Sequence, residues 1–310
     1  MKIVFMGTPE FAVLPLEGLI EKYDVSLVVS QPDKMVGRHK ELKITPVKEV
    51  ALKNNIEIFQ PTKIRDDYQR IIDLKPDLIV TCAYGQIIPK ELLECPKYGC
   101  INIHASLLPK LRGGAPIHKA IIDGYSKTGI TIMYMDEKMD NGDIISQVET
   151  SITDEDTLET LQNRLSLMGK DLLLKTIPSI FDGTSSRVCQ DLSEVTYAYN
   201  IRREEEHIDF SIKTSREIFN QVRGLNPAPL ANVILFSQEM KVVKCYDYGK
   251  KYENHLPGEI VDIIKNGIVV STIDGSIVFT EIKPFGKKTM MVSSYLNGIS
   301  MDKLIGQVLL

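Results

Sequence analysis

Residues 101–124 read INIHASLLPKLRGGAPIHKAIIDG. Ile101, Asn102, Ile103 and His104 alternate apolar and polar, as a half-buried strand does. Leu-Leu-Pro, a basic pair, two glycines and a proline then break the pattern, and APIHKAIIDG resumes it with helical spacing. Strand, glycine-bearing loop and helix make one βα unit. Upstream, KIVFMG (2–7), VSLVVS (25–30), IEIF (56–59) and DLIVTCAY (77–84) are short apolar runs that read as buried strands. Between them, residues 10–22, a segment opened by Thr45 as N-cap with Pro46 in the first turn, and 64–74 read as helices. PKELLEC (89–95) reads as a short helix, and a long amphipathic helix spans about 156–180. GITIMYM (129–135) and DIISQVETSI (143–152) read as paired strands around DEKMDNG. Alternating β and α units predict a parallel-rich sheet covered on both faces, in an α/β, Rossmann-like domain.

After about residue 183 the pattern changes. A polar, mixed stretch reads as linker, SIKTSREIFNQVRGL (211–225) as one helix, and short alternating strands with Gly or Asn turns follow from Ala231. That is the pattern of a small β-barrel. The predicted organisation is 1–189 as the N-terminal catalytic domain, 190–208 as linker, and 209–310 as a C-terminal OB-like domain.

The chemistry gathers at the end of the 101–104 strand, because ligands of open α/β sheets bind beyond the strands' carboxyl ends. Asn102 and His104 are two apart and share one face. Gly113 and Gly114 follow in a loop that a ligand can approach closely. A half-buried, hydrogen-bonded histidine is the plain alternative. Asp140, before Asn141-Gly142, taken alone is a turn residue, since Asn-Gly is a strong hairpin signal. If the sheet order brings that loop over His104, then Asp, His and Asn form a proton-transfer and oxyanion set. The carboxylate orients and charges the imidazole, the imidazole handles protons, and the amide N–H stabilises developing negative charge. No serine or cysteine lies in a nucleophile-elbow pattern; Ser106 is the one nearby candidate and lacks the context. The set therefore points to direct acyl transfer onto an amine or water. GTPEF (7–11) has a single glycine, which argues against a dinucleotide site. His104 and His118 are fourteen apart and Cys95-x4-Cys100 has no partners, so no metal-ligand spacing is present.

Bulk properties agree with a soluble globular protein. The 310 residues are 43% hydrophobic and 25% charged with net charge −4, which announces no global affinity for nucleic acid. From Asp209 onward, however, twelve Lys and Arg face ten Asp and Glu. A slightly basic tail on an acidic body hints at an anionic partner. Five scattered cysteines without C-x-x-C read as reduced thiols of a cytosolic protein. No signal-peptide pattern opens the chain and no apolar run approaches a membrane span.

NIHASLLPKLRGGAPIHKAIIDG together with TGITIMYMDEKMDNGDII resembles the folate-dependent formyltransferases. VFMGTPEFAVLPLEGL, QPDKMVGRHKELKITPVK and AYGQIIPKELL extend the resemblance through the N-terminal half. IDFSIKTSREIFNQVRGLNPAPLA and KPFGKKTM carry it into the barrel. The resemblance implies Asn102, His104 and Asp140 as catalytic residues. It implies folate contacts from Ser106, Leu107, Leu108 and Pro109. Backbone groups of Tyr84, Gly85, Gln86, Ile87, Ile88 and Pro89 would line the pterin pocket. Gln86 stands where the family commonly has an apolar residue. The donor is then 10-formyltetrahydrofolate, with no metal, and the acceptor is the α-amino group of methionine on initiator tRNA. A basic loop, residues 34–43, would grip the acceptor end through Lys34, Arg38, Lys40 and Lys43, with Arg38 foremost. Four cations against one carboxylate in that loop suit phosphate contact. A cytoplasmic monomer is expected. Rival readings are a formyltransferase for an amino sugar nucleotide, a formyltetrahydrofolate hydrolase, and a tRNA-binding module without catalysis.

Overall fold

The computed structural model describes residues 1–36 and 41–310. The chain forms two compact units. One comprises Met1–Pro116, Lys127–Ser151 and Gln162–Tyr199; the other comprises Ile117–Ser126, Ile152–Leu161 and Asn200–Leu310.

In the first unit, the strands in chain order are β1 (Lys2–Gly7), β2 (Asp24–Val29), β3 (Lys34–Val36), β4 (Glu41–Lys43), β5 (Ile58–Phe59), β6 (Leu78–Cys82), β7 (Cys100–His104), β8 (Lys127–Tyr134) and β9 (Ile144–Ser151). Seven form one sheet in the order β5-β2-β1-β6-β7-β8-β9. The first five positions are parallel; β8 and β9 join antiparallel, so the sheet is parallel-rich. The chain leaves β1 in one direction, towards β2 and β5, and returns to β6 on β1's other side. That reversal puts a crevice beyond the carboxyl ends of β1 and β6. Thr8, just after β1, bridges it by donating to Tyr84 O, just after β6, at 3.1 Å. Ile3, Val4, Phe5 and Met6 on β1 and Leu78, Ile79 and Val80 on β6 are fully buried, as unbroken apolar runs in a parallel sheet require.

The helices before residue 200 are α1 (Val13–Lys22), α2 (Pro46–Lys53), α3 (Gln69–Asp73), α4 (Lys90–Glu94), α5 (Pro116–Ile122) and α6 (Leu158–Phe181); α5 from Ile117 and α6 up to Leu161 belong to the second unit. Thr45 caps α2 as its sequence predicts, accepting from Lys48 N with Pro46 at the first helical position. The helix expected over 64–74 shrinks to α3. Upstream of it, Asp66 N and Asp67 N bond three residues back, to Lys63 O and Ile64 O, and the side chain of Gln86 takes the Ile64 N–H at 2.8 Å. That segment is therefore wound as tight turns.

In the second unit, α7 (Ser215–Gly224) precedes β10 (Ala231–Leu235), β11 (Gln238–Asp247), β12 (Ile260–Ile264), β13 (Gly267–Ser271), β14 (Ser276–Pro284) and β15 (Met290–Met291). The sheet is antiparallel, in the order β10-β11-β14-β13-β12, with β15 on β14. The last residues join its two edges. Leu310 N donates to Ile234 O at 3.1 Å, and Ile260 N donates to Gln307 O at 2.8 Å. Pairing both edges with one terminal segment closes the sheet and removes the exposed strand edges that invite aggregation. Its core is built from Ile218 and Val222 of α7 with Val233, Val242, Ile268, Ile277 and Phe279.

Helix α7 starts later than the periodicity suggests because Thr214 stops it. Thr214 accepts from Glu217 N at 3.2 Å, and Glu217 accepts from Thr214 N at 2.8 Å, a reciprocal capping box. Thr214→Ala is expected to cost about 1 kcal/mol of stability, read from the urea midpoint of the full chain.

Candidate active site

The end of β7 carries Asn102 and His104 on one face. Asn102 is half-buried and His104 is buried. The imidazole is held from both sides. Its Nε2–H donates to Leu111 O at 3.0 Å, and its Nδ1 lies 3.6 Å from Asp140 Oδ1. A carbonyl oxygen can only accept, so it fixes the proton on Nε2 in the neutral ring and leaves the Nδ1 lone pair facing the carboxylate. A proton arriving on Nδ1 would sit between ring and carboxylate. Asp140 is itself aimed: its Oδ2 accepts from Gly113 N at 2.8 Å. The structure thus brings Asn102, His104, Asp140 and the Gly113 loop together around the carboxyl end of β7.

The turn that presents Asp140 differs from the one its sequence suggests. Asn-Gly in a two-residue hairpin needs positive φ at both central residues. Here the loop joining β8 to β9 is long, and the residue at positive φ is Asp140 itself, at 51°. Gly142 serves a different purpose: a Cβ there would lie 2.0 Å from Tyr134 O. Asp140 thus shapes the loop as well as facing His104.

Residues read as linker hold this loop. Gln190 Nε2 donates to Asp140 O at 2.9 Å and to Gly142 O at 2.8 Å. Its Oε1 accepts from Arg112 Nη2 at 2.7 Å and Nε at 3.1 Å, while Arg112 Nη1 donates to Asn141 Oδ1 at 3.0 Å. Arg112 is only 4% exposed and, among the described residues, its guanidinium is partnered by neutral groups. Just beyond, Thr196 Oγ1 accepts from Leu111 N at 2.9 Å, and Ala198 N donates to Arg112 O at 2.7 Å. No motif marks Gln190; polar composition hides its contacts. Gln190→Ala frees two carbonyls and strips Arg112 of one acceptor. It is expected to cost about 1–3 kcal/mol, by chemical denaturation, and to lower turnover as Asp140 loosens.

The segment after His104 is pinned from β8 and β9. Thr131 Oγ1 donates to Ser106 O at 2.7 Å and accepts from Leu108 N at 3.1 Å; Gln147 Nε2 donates to Leu108 O at 2.9 Å. The Leu108-Pro109 peptide is cis. Ser106 is buried and its hydroxyl donates to Lys110 O at 2.6 Å, so it is occupied by the backbone. Leu107 and Pro109 are half-buried.

Residues 84–89 run along the crevice beyond β6. Among the described residues, the N–H groups of Gly85, Gln86, Ile87 and Ile88 find no protein acceptor. Tyr84 and Ile88 are buried, whereas Ile87 is 86% exposed. The Tyr84 hydroxyl is buried without a partner, and burial pushes its phenol up to about 12. A backbone edge with free donors fits a flat heterocycle with acceptors of its own, whereas the Tyr84 hydroxyl is enclosed in the core with Ile64, Ile71 and Leu92. Gln86 does not reach that edge: its side chain bridges Ile64 N and Thr62 O. Lys34 and Lys43 lie opposite one another on the β3–β4 hairpin, both exposed. Arg38 and Lys40 lie outside the described residues.

The pattern of the Formyl transferase family matches residues 1–177, and that of the Formyl transferase, C-terminal domain matches residues 200–300. The chain belongs to the formyltransferase family. This formyltransferase is 50% identical over 316 residues to the methionyl-tRNA formyltransferase of Geobacillus sp. (strain WCH70), covering 100% of this chain and 98% of that one. Its fold matches an N-formyltransferase from Helicobacter canadensis, solved with folinic acid and dTDP-3-aminofucose, at TM-score 0.69 and 22% identity over 92% of this chain and 100% of that one. It also matches HypX from Aquifex aeolicus, solved with tetrahydrofolic acid, at TM-score 0.64 and 16% identity over 96% of this chain. The chain spans about half of HypX, 47% of its length. At these identities the two solved structures speak to fold alone. Among the described residues of this formyltransferase, no helix is long and apolar enough to cross a membrane.

Proposed function

We propose that this formyltransferase moves the formyl group of 10-formyltetrahydrofolate to the α-amino group of methionine on initiator methionyl-tRNA. The observation that carries the acceptor is 50% identity along the whole chain to a methionyl-tRNA formyltransferase, barrel included. An Asn-His-Asp site alone would serve any amine acceptor.

In the reaction the amine nitrogen bonds to the formyl carbon, the bond from that carbon to the folate nitrogen breaks, and one proton passes from the amine to that nitrogen. Asn102 donates from Nδ2 to the formyl oxygen as negative charge develops there. Asp140 and His104 relay the amine proton between carboxylate and Nδ1 on its way to the folate nitrogen, with Nε2 anchored on Leu111 O and the carboxylate stabilising the imidazolium. Ser106, Leu107, Leu108 and Pro109 position the folate. Tyr84, Gly85, Gln86, Ile87, Ile88 and Pro89 line its pterin pocket, mostly through backbone groups. Lys34, Arg38, Lys40 and Lys43 contact tRNA phosphates, with affinity that falls steeply with salt. Residues 1–189 belong to the catalytic domain and 209–310 to the tRNA-binding domain of a cytoplasmic monomer; within the stretch between them, Gln190, Thr196 and Ala198 hold the active-site loops instead of hanging free as a linker. No metal takes part.

Transfer from 10-formyltetrahydrofolate to methionyl initiator tRNA, methionyl elongator tRNA and an amino sugar nucleotide tests the acceptor. Strong preference for the initiator is expected. Transfer to the sugar alone would keep the Asn-His-Asp site and reject the tRNA reading.

A further inference from the structure

The oxyanion role proposed for Asn102 needs its amide turned the right way, with N–H rather than C=O facing the formyl oxygen. An asparagine side chain is nearly symmetric in shape, so its orientation is set by the hydrogen bonds its two ends make. Thr81 on β6 stands directly beside Asn102 in the parallel register. It is 3% exposed, and its Oγ1 donates to Asn102 Oδ1 at 2.8 Å. Two other acceptors lie within reach of the same hydroxyl, Ile101 O and Met135 Sδ, both at 3.2 Å. The hydroxyl has one proton, and the amide oxygen is both nearer than either rival and a stronger acceptor than a thioether. With Oδ1 engaged, Nδ2 points away from Thr81; among the described residues it has no protein partner, and the half-buried side chain keeps access to solvent.

We infer that Thr81 is a positioning residue that fixes the amide orientation of Asn102 and so presents Nδ2 to the reacting carbonyl. This rests on the oxyanion role proposed for Asn102. A threonine in a buried strand needs no such explanation from propensity, since valine would pack as well there. The hydroxyl's acceptor is what distinguishes the two.

The test is a double-mutant cycle on formyl transfer to methionyl initiator tRNA with Thr81→Val, Thr81→Ser, Asn102→Ala and the Thr81→Val/Asn102→Ala pair. Thr81→Val is expected to lower kcat about tenfold, the value of roughly one hydrogen bond, with KM for both substrates within about twofold. Thr81→Ser keeps the hydroxyl and is expected to stay within about threefold of wild type. In the Asn102→Ala background, Thr81→Val is expected to change nothing further, because its only route to the reaction is gone. An equal loss from Thr81→Val in both backgrounds, or unchanged kcat in the first, overturns the role of Thr81 alone. A wild-type chain that transfers no formyl group overturns the reading of the site and this inference with it.

Discussion

Asn102→Ala is expected to lower kcat about 10²–10³-fold, the range for losing one preorganised donor at a developing oxyanion. The expectation follows from three facts about the side chain. It is half-buried on β7 beside His104, its oxygen is already taken by Thr81, and its Nδ2 has no protein partner among the described residues. A donor left free next to a buried, clamped imidazole costs little to keep if a substrate oxygen completes it. Alanine removes the donor and leaves the strand and the folate segment in place, so KM for the folate and tRNA binding should move little. Steady-state kinetics at saturating substrates, with tRNA affinity measured separately, separates the two. Turnover near wild type would remove Asn102 from the chemistry.

Gly142→Ala is expected to be the most damaging small substitution near the site. The added Cβ would lie 2.0 Å from Tyr134 O and 2.9 Å from the Tyr134 carbonyl carbon. Both belong to backbone at the end of β8 and cannot swing aside as a side chain could. The loop must move, at a cost of about 1–3 kcal/mol or more by the usual scale of overpacking. Asp140 moves with it, because Gln190 holds the carbonyls of Asp140 and Gly142 together. A displacement of about 1 Å in a catalytic group can cost on the order of 10²-fold in rate. Thermal unfolding and kcat should therefore fall together. Gly298→Ala is the control: its Cβ would meet only Tyr295 O at 3.7 Å, and stability should change by no more than about 0.5 kcal/mol. If Gly142→Ala behaved like that control, the close approach of Gly142 to Tyr134 O would not be what sets the path of the loop.

How much of the molecule is legible in the sequence depends on how local each signal is. The strands of the parallel core show as unbroken β-branched and apolar runs, because burial on both faces leaves no room for polar residues. Thr45-Pro46 announces α2 for an equally local reason. The 64–74 stretch misleads: its helical periodicity is real, but Gln86, distant in sequence, captures the Ile64 N–H and the first half winds into turns. Asn141-Gly142 misleads in the same way, since a short hairpin signal sits in a long loop whose positive φ falls on Asp140. Asn102 and His104 are legible as a pair because two residues apart on a strand means one face. Asp140 is legible only as a conditional member, because its approach to His104 depends on β8 folding back beside β7. Gln190 and Thr81 are not legible at all. A lone glutamine in a polar stretch and a threonine in an apolar strand carry no local mark. Their parts come from hydrogen bonds made across the sheet and across 50 residues of chain.

The most direct measurement is a single-turnover reaction of labelled 10-formyltetrahydrofolate with methionyl initiator tRNA, followed by hydrolysis of the aminoacyl ester and analysis of the released methionine. Wild-type chain should yield N-formylmethionine, and His104→Ala should bind the tRNA yet form it at least about a hundredfold more slowly. Label released only as formate, or formylmethionine formed as fast by His104→Ala as by wild type, would contradict formyl transfer through the Asn102, His104 and Asp140 site.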